Sequence, residues 1–264
     1  MPATPAASAE RIQTLLGPGS PWRVSCIAET GSTNVDMAHR ARAGEPAGRV
    51  LVADHQRSGR GRFDRAWQSP PGTSVATSVL LRPTRPALDW GWLSLLVGLA
   101  IADGIRSLGA GERVTLKWPN DVLIDELKVC GILSEMVHTD LGPAAVCGWG
   151  INISMSTAEL PFSRATSLLV AGLPTDKNHL LAAILERLAD LANRWDEGHD
   201  LSTEYASGCA TIGRQVRVHL DEQSEHGPSE TGRAVGVGPN GELLVDLGES
   251  GVEAFSAGDV VHLR

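Results

Sequence analysis

Residues 114–153 hold most of the information about the fold class, and they read VTLKWPNDVLIDELKVCGILSEMVHTDLGPAAVCGWGINI. Short apolar runs of this kind are typical of β-strands. They predict four strands, over residues 114–118, 122–124, 131–138 and 144–153. Turn residues Pro-Asn-Asp and Asp-Glu join the first three runs. Strands that follow one another without a helix between each pair favour an antiparallel or mixed sheet over regular βαβ alternation.

The flanking sequence adds helices before and after this region. A helical pattern over 90–108 and a second over 179–195 are long enough to be core helices. A short N-terminal helix over 11–16 and a helix ending near Arg42 are also expected. Three more strands are predicted upstream, over residues 24–28, 50–53 and 74–81.

The character of the chain changes near Thr211. Beyond it, short apolar runs recur at intervals of roughly 8–12 residues, with turn residues between them. This spacing is typical of a small β-barrel. We therefore predict an α+β protein with two domains: a large domain over 1–210, with a mixed or antiparallel sheet and packed helices, and a small β-barrel domain over 211–264.

Composition excludes several classes of protein. The 264 residues include 23 Lys and Arg against 31 Asp and Glu, a formal net charge of −8, which argues against a general nucleic-acid binder. The longest apolar stretch, 93–102, is about half of the roughly 20 residues that a membrane span needs. The N-terminus lacks the basic and apolar regions of a secretory signal. Four widely spaced cysteines without a CxxC pair indicate neither a zinc site nor a disulfide framework. We expect a cytoplasmic protein that binds neither nucleic acid nor membrane.

Several common catalytic signatures are missing from the sequence. It contains no GxxxxGK[ST], no GxSxG and no HExxH. Residues 236–241 match GxGxxG, but a dinucleotide site needs a helix after those glycines. Here Pro-Asn-Gly leads into an apolar run, which favours a β-hairpin.

Residues 55–67, HQRSGRGRFDRAW, are the most unusual segment of this acidic chain. Four arginines fall within nine residues, and arginine suits bidentate contacts to phosphate and carboxylate. Alternating glycines let the backbone approach a ligand closely. The segment predicts a loop that folds over an anionic small molecule; the alternative is a solvated basic loop. Trp67 can stack on a nucleobase or pack the base of the loop.

Two further segments carry polar groups at predicted turns. Lys117 and Lys128 flank a strand–turn–strand unit that also holds Asn120 and Asp121. This unit can place cations opposite developing negative charge and the Asn-Asp pair near a metal or nucleophile, or it can be a hairpin with exposed lysines. Residues 30–34, TGSTN, offer short polar side chains at a helix start, where they can bind a compact polar group. Alternatively, Ser32 or Thr33 simply caps the helix.

Together these segments resemble the biotin protein ligase family. The resemblance rests on Gly-Ser-Thr-Asn at 31–34, on Gln56 with Gly-Arg-Gly-Arg at 59–62, and on KWPND at 117–121 with KVCGIL at 128–133. The ending SAGDVVHLR also resembles the family's small C-terminal SH3-like barrel. The resemblance covers roughly residues 27–264, and the single-function members without an N-terminal DNA-binding domain look most similar.

The resemblance implies a two-step, ATP-dependent reaction in the large domain, with biotin, ATP and Mg²⁺. Biotin is activated to biotinyl-5′-AMP and then passed to a specific lysine of the biotin carboxyl carrier domain of an acyl-CoA carboxylase. The implied catalytic residues are Lys128, Arg60, Arg62 and Asp121, with Asp121 also a Mg²⁺ ligand. The implied biotin-binding residues are Ser32, Thr33, Asn34, Gln56, Arg60, Gly61, Arg62 and Lys128. The implied ATP- or adenylate-binding residues are Arg62, Arg65, Trp67, Lys117, Asn120 and Asn152.

The sequence also departs from the family pattern and leaves two alternatives. Phe63 and Asp64 stand where many members carry other residues, so an acid lies beside the expected phosphate site. We expect residues 57–70 to be open or disordered without ligand, because the activated intermediate must be shielded from water only while it is bound. A biotin-responsive repressor is a weak alternative, since about 20 residues before the first strand are too few for three helices. A lipoate or octanoate ligase or transferase is the other alternative.

Overall fold

The computed structural model describes residues 5–219, 228–256 and 258–263. It contains helices α1 (Ala9–Leu16), α2 (Thr33–Arg42), α3 (Trp92–Ile105), α4 (Lys177–Asp196) and α5 (Ser202–Gly208). The strands of the large domain are β1 (Arg23–Thr30), β2 (Arg49–Gln56), β3 (Gly59–Arg60), β4 (Ala66–Trp67), β5 (Ser74–Leu81), β6 (Val114–Lys117), β7 (Asp121–Ile124), β8 (Leu127–Thr139) and β9 (Gly142–Asn152). The small domain contains β10 (Gln215–His219), β11 (Ser229–Val237), β12 (Leu243–Asp246), β13 (Val252–Phe255) and β14 (Asp259–His262).

Seven strands form the main sheet, in the order β1-β2-β5-β9-β8-β7-β6. Only β1 and β2 are parallel; the other neighbours pair antiparallel. A parallel pair needs a crossover, and α2 supplies it between β1 and β2. The two strands therefore end at the same edge of the sheet, where Thr30 is the register partner of Gln56. This arrangement brings the start of α2 beside the start of the Arg/Gly-rich segment.

Helix α3 forms the centre of the large domain. Twelve of its fourteen residues are buried, and it packs against the sheet and against α4. Burial of each large aliphatic side chain contributes about 1.5–3 kcal/mol, so this helix is a main source of stability. The stretch Ala87–Arg113 is long and apolar enough to cross a membrane, but 67% of its most apolar window is buried inside the protein. A buried helix of this kind is a core helix of the domain.

Helix α2 covers the other face of the sheet with a smaller core. Met37 and Ala41 from the helix pack with apolar residues of β2, β5, β8 and β9. Both helix residues are fully buried. The helix is thereby fixed, and its first turn is held rigidly at the sheet edge.

The small domain is a five-stranded antiparallel sheet in the order β13-β12-β11-β10-β14. It is anchored to the large domain by tryptophan side chains: Trp118 Nε1 donates to Gly241 O at 3.0 Å, and Trp92 Nε1 donates to Pro239 O at 3.0 Å. The turn at 236–241 is indeed a hairpin between β11 and β12, so the GxGxxG match is no dinucleotide loop.

The α+β class with a mixed sheet and a small β domain is confirmed. The predicted strand over 74–81 matches β5, and most other strands differ by one to four residues at their ends. Helix α5 and the short hairpin β3–β4 are absent from the sequence predictions. The predicted helix over 90–108 is shorter, because a wider π-helical turn, Arg106–Ala110, follows Ile105 and the chain turns at Gly109, whose φ is 96°.

Candidate functional site

A cavity of about 390 Å³ lies at the sheet edge where β1 and β2 end. Its lining includes all but one of the residues that the sequence assigned to binding or catalysis. These are Ser32, Thr33, Asn34, Gln56, Arg60, Gly61, Arg62, Arg65, Trp67, Asn120, Asp121, Lys128 and Asn152. Segments separated by up to about half the chain therefore meet in one place.

The exception is Lys117, which is not part of the cavity lining. Its side chain is largely buried near the junction of the two domains, close to Asp121, Asp259 and Arg164. Burial lowers the pKa of Lys117, and the neighbouring carboxylates only partly offset this effect. Lys117 therefore lies next to the cavity and does not line it.

A polar cluster formed by Thr33, Asn34, Gln56, Ser78 and Glu135 lies at one side of the cavity. Thr33, Asn34 and Ser78 are buried, and Thr33, Asn34 and Gln56 line the cavity. Gln56 Oε1 accepts from the Thr33 backbone N–H at 2.8 Å and from its hydroxyl at 3.1 Å. Ser78 donates to Asn34 Oδ1 at 2.6 Å, and its hydroxyl lies 2.8 Å from that of Thr33. Asn34 Nδ2 donates to Glu135 Oε2 at 2.8 Å. The hydrogen bonds hold these side chains in fixed orientations before a ligand arrives.

The prediction that Ser32 or Thr33 caps α2 with its own side chain is wrong. Ser32 occupies the N-cap position with extended backbone, but its hydroxyl makes no capping bond. The Gln56 side chain satisfies the exposed N–H of Thr33 instead. A side chain from β2 thus accepts one of the backbone N–H groups that are left without a partner at a helix N-terminus. The Ser32 side chain lines the cavity instead.

Glycines in β9 make room for two side chains in the cavity. A Cβ at Gly148 would lie 1.9 Å from Asn34 Oδ1, and a Cβ at Gly150 would lie 2.5 Å from the Trp67 ring. Trp67 therefore lies flat against the strand backbone. Its indole Nε1–H is buried and has no hydrogen-bond partner among the described residues. The indole group can donate to a polar ligand atom at this position.

The cations of the cavity are matched by carboxylates from other elements. Arg60 Nη2 donates to both Glu135 oxygens, at 2.8 and 2.9 Å. Lys128 Nζ lies 2.6 Å from Asp121 Oδ1. An anionic ligand must compete with these carboxylates for the cations. Carboxylates thus offset most of the positive charge of the site.

The Arg/Gly loop, residues 57–70, is folded across the cavity as the hairpin β3–β4. Arg62 lies over the Phe63 ring, 4.4 Å from its centroid, and donates to Gly258 O at 3.4 Å. Arg65 Nη2 lies 2.6 Å from Asp259 Oδ2. The acid expected beside the phosphate site, Asp64, has its side chain outside the described part of the structure. The loop thus contacts the small domain as well as the sheet.

Three polar residues of the site were missed by the sequence analysis. Ser78 and Glu135 belong to strands, and Asp259 begins the last strand of the small domain. None of them lies in a segment of unusual composition. Glu135 follows the KVCGIL segment by two residues, and Asp259 lies within the SAGDVVHLR ending, but neither was assigned to the site. Their roles depend on which strands are neighbours, and only the structure gives that.

Comparison with known proteins agrees with this geometry. Residues 27–152 match the model of the biotin/lipoate A/B protein ligase family, and residues 211–263 match that of the biotin protein ligase C-terminal domain. The biotin–[acetyl-CoA-carboxylase] ligase of Mycobacterium tuberculosis is 39% identical over 257 residues, 95% of this chain and 93% of that protein.

Proteins with lower sequence identity also match most of this chain. The bifunctional ligase/repressor BirA of Bacillus subtilis is 33% identical over 241 residues, 88% of this chain and 70% of that protein. The structure of the Aquifex aeolicus biotin protein ligase in complex with biotin and ATP superposes with a TM-score of 0.73 at 27% identity, covering 91% of this chain and 98% of that one. From these matches over both domains, the chain belongs to the biotin/lipoate A/B protein ligase family.

Proposed function

We propose that this protein is a biotin protein ligase. It activates biotin with ATP to biotinyl-5′-AMP and transfers biotin to a lysine of a biotin carboxyl carrier domain in an acyl-CoA carboxylase. The observation that carries the proposal is the single cavity in which the polar cluster, the Arg/Gly loop and the Lys128–Asp121 pair meet. The similarity to a named biotin ligase over 95% of the chain supports it.

The polar cluster is suited to the biotin end of the site. A ureido ring needs donors and acceptors at fixed positions, while its apolar chain needs burial. Ser32, Thr33, Asn34 and Gln56 supply the polar groups, all but Gln56 at 5% exposure or less. Gly61 adds a backbone that a ligand can approach without a side chain in the way.

The cations are suited to the first chemical step. A biotin carboxylate oxygen attacks the α-phosphorus of ATP, the bond to the bridging oxygen breaks, and pyrophosphate leaves. Both reactants are anions, so the site must neutralise charge on each. Arg60, Arg62 and Lys128 line the cavity for this role. Arg65, Trp67, Asn120 and Asn152 also line it, and we assign them to the nucleotide.

In the second step, a carrier lysine nitrogen attacks the acyl carbon of the mixed anhydride. The acyl C–O bond to AMP breaks, AMP leaves, and the amine gives up a proton. Asp121 is the carboxylate beside Lys128 in the cavity and is our candidate to receive that proton. Because water would hydrolyse the anhydride, the Arg/Gly loop must stay closed until the carrier docks.

The residues fit Mg²⁺ only as part of a nucleotide complex. Across the described ranges, no group of three or more His, Cys, Asp and Glu side chains is placed to hold a metal. Mg²⁺ is commonly held by one or two carboxylates together with substrate phosphates and water. Asp121 would hold the ion, which supplies charge neutralisation at the phosphates.

The direct test is ATP-dependent incorporation of labelled biotin into a carrier domain by wild type and Lys128→Ala. We expect transfer by wild type and a loss of at least about 100-fold in the variant, as found when a group that stabilises transition-state charge is removed. Arg217→Ala, at an exposed position of β10, is the matched control and should keep wild-type activity. Absence of transfer by folded wild-type protein would refute the proposal.

The alternative substrate class is tested in the same assay. Lipoate or octanoate offered in place of biotin should give little or no incorporation. The match of residues 211–263 to the biotin protein ligase C-terminal domain favours biotin. Preferential incorporation of octanoate would favour the lipoate branch of the family.

Other parts of the proposal concern partners and location. We propose that the protein acts in the cytoplasm, that it does not bind nucleic acid or membrane, and that the domain boundary lies between residues 210 and 211. A gel shift on the promoter of its own gene should show no complex, whereas a biotin-dependent shift would indicate a repressor.

A further inference from the structure

The small domain places one carboxylate in the ligand cavity. Asp259 lies at the start of β14 and lines the cavity, together with residues of the large domain. Its Oδ2 lies 2.6 Å from Arg65 Nη2. The preceding carbonyl, of Gly258, accepts from Arg62. Two arginines of the Arg/Gly loop therefore contact adjacent residues of the small domain.

The charges at this contact favour the ionised acid. Burial raises the pKa of Asp259, but the Arg65 guanidinium, helped by Lys117 and Arg62, outweighs it and holds the pKa below its usual value. Asp259 is thus an anion at neutral pH. The backbone of Asp259 is held in position, because β14 pairs with β10 and the following residue, Val260, is buried.

We propose that Asp259 is a positioning residue: through Arg65 it holds the Arg/Gly loop closed against the small domain while the adenylate is bound. This role rests on the proposed ligase function. It gives the small domain a part in retaining the intermediate, since the loop closes on a surface that the large domain does not supply. The position of the small domain and the closure of the loop are then coupled.

The contact is suited to a loop that must reopen. The side chains of Arg65 and Asp259 are 58% and 42% exposed, and ion pairs with this exposure are weak because water screens them. Loss of the pair should therefore speed release of the intermediate by about two- to five-fold. A much stronger contact would slow access of the carrier lysine.

The test compares Asp259→Asn with wild type and with Glu253→Gln, a matched control at an exposed position of β13 in the same domain. Preformed biotinyl-5′-AMP complex is diluted without carrier, and release of the intermediate is followed. We expect about two- to five-fold faster release from Asp259→Asn and unchanged release from Glu253→Gln. Biotin affinity measured without ATP should be the same in all three proteins.

A second readout does not depend on activity. Hydrogen exchange of residues 57–70, measured with added biotinyl-5′-AMP bound, should be faster in Asp259→Asn than in the Glu253→Gln control. The charge-swapped double variant Arg65→Asp with Asp259→Arg should recover at least part of the protection that either single variant loses. Equal exchange and equal release in Asp259→Asn and wild type would overturn the inference. Failure of wild type to form the adenylate would instead overturn the proposed function.

Discussion

The polar cluster and the Arg/Gly loop line the same cavity but differ in construction. The cluster is buried at Thr33, Asn34 and Ser78, and its groups bond to one another across α2, β2, β5 and β8. The loop is partly exposed, and its Arg60 and Arg65 pair with carboxylates of β8 and β14. Under the proposed function, this difference predicts that the groups binding the vitamin are preorganised, whereas shielding of the activated group depends on contacts that can open.

Among the changes that test this comparison, the largest effect is expected from breaking the polar cluster at Asn34. Asn34→Ala removes bonds to Ser78, Glu135 and the Leu133 carbonyl, leaving buried groups without partners. We expect a loss of about 2 kcal/mol in unfolding free energy and at least about 30-fold weaker biotin binding. Urea unfolding and calorimetric titration measure both. Asn193→Ala, at an exposed position of α4, is the control, and equal behaviour of the two variants would contradict a preorganised cluster.

A smaller effect is expected where the loop rests on the sheet. Gly150→Ala places a methyl group 2.5 Å from the Trp67 ring, so the ring must lift from β9. Stacking of an aromatic ring on a base contributes roughly 1–3 kcal/mol, so adenylate affinity should fall about ten-fold while the fold is retained. Gly236→Ala is the control, because its added methyl meets only ordinary contacts. Unchanged ATP-dependent tryptophan fluorescence and affinity in Gly150→Ala would remove Trp67 from the nucleotide side.

Substitution of Arg60 tests the role of the Arg/Gly loop in retaining the intermediate. Its guanidinium must leave Glu135 to contact the acyl phosphate, so part of the gain from the new contact is offset by the lost one. Arg60→Ala should therefore release biotinyl-5′-AMP only about five- to ten-fold faster. Arg57→Ala, at the exposed start of the loop, should release it at the wild-type rate. Tighter retention in Arg60→Ala would overturn the assigned role.

The smallest effect concerns pH and the domain junction. Burial, together with Lys117 and nearby arginines, lowers the pKa of His262 to about 4, and its Nε2 lies 3.0 Å from the Thr211 hydroxyl. As pH falls from 6.5 to 4, His262 becomes protonated in the unfolded chain but stays neutral in the folded protein. The free energy of unfolding therefore falls over that pH range. Solvent screening limits the loss to at most about 1 kcal/mol. Thermal melts of wild type and His262→Gln should converge at pH 4 and show the wild type favoured near pH 7; parallel curves would contradict this.

The contrast between the two regions also explains what the sequence could predict. The Arg/Gly loop stands out by composition, and KWPND and GSTN stand out as polar turns, so cavity residues such as Arg60, Asn34 and Asp121 were found. Their partners Ser78 and Glu135 lie in ordinary strands. Whether a strand residue faces a loop arginine depends on sheet order and register, which are set by long-range packing.

Lys117 is the opposite case, a residue that the sequence singled out but that does not line the cavity. It belongs to a distinctive segment, yet it lies outside the cavity lining, while its register partner Asp121 lies within it. Asp259 was unpredictable because it reaches the cavity from another domain. Contacts such as the hydrogen bond from Trp118 to Gly241 hold the small domain against the large one. Such long-range contacts produce no recognisable pattern in the local sequence.

The most direct measurement is hydrogen exchange of the Arg/Gly loop against that of β5, which carries Ser78, with and without biotin and MgATP. In the free protein we expect fast exchange across residues 57–70 and slow exchange across Ser74–Leu81. Both ligands together should slow the loop by about ten-fold or more and leave β5 unchanged. Loop exchange that does not respond to the ligands, or a β5 strand that becomes protected only on binding, would contradict a preorganised cluster served by a closing loop.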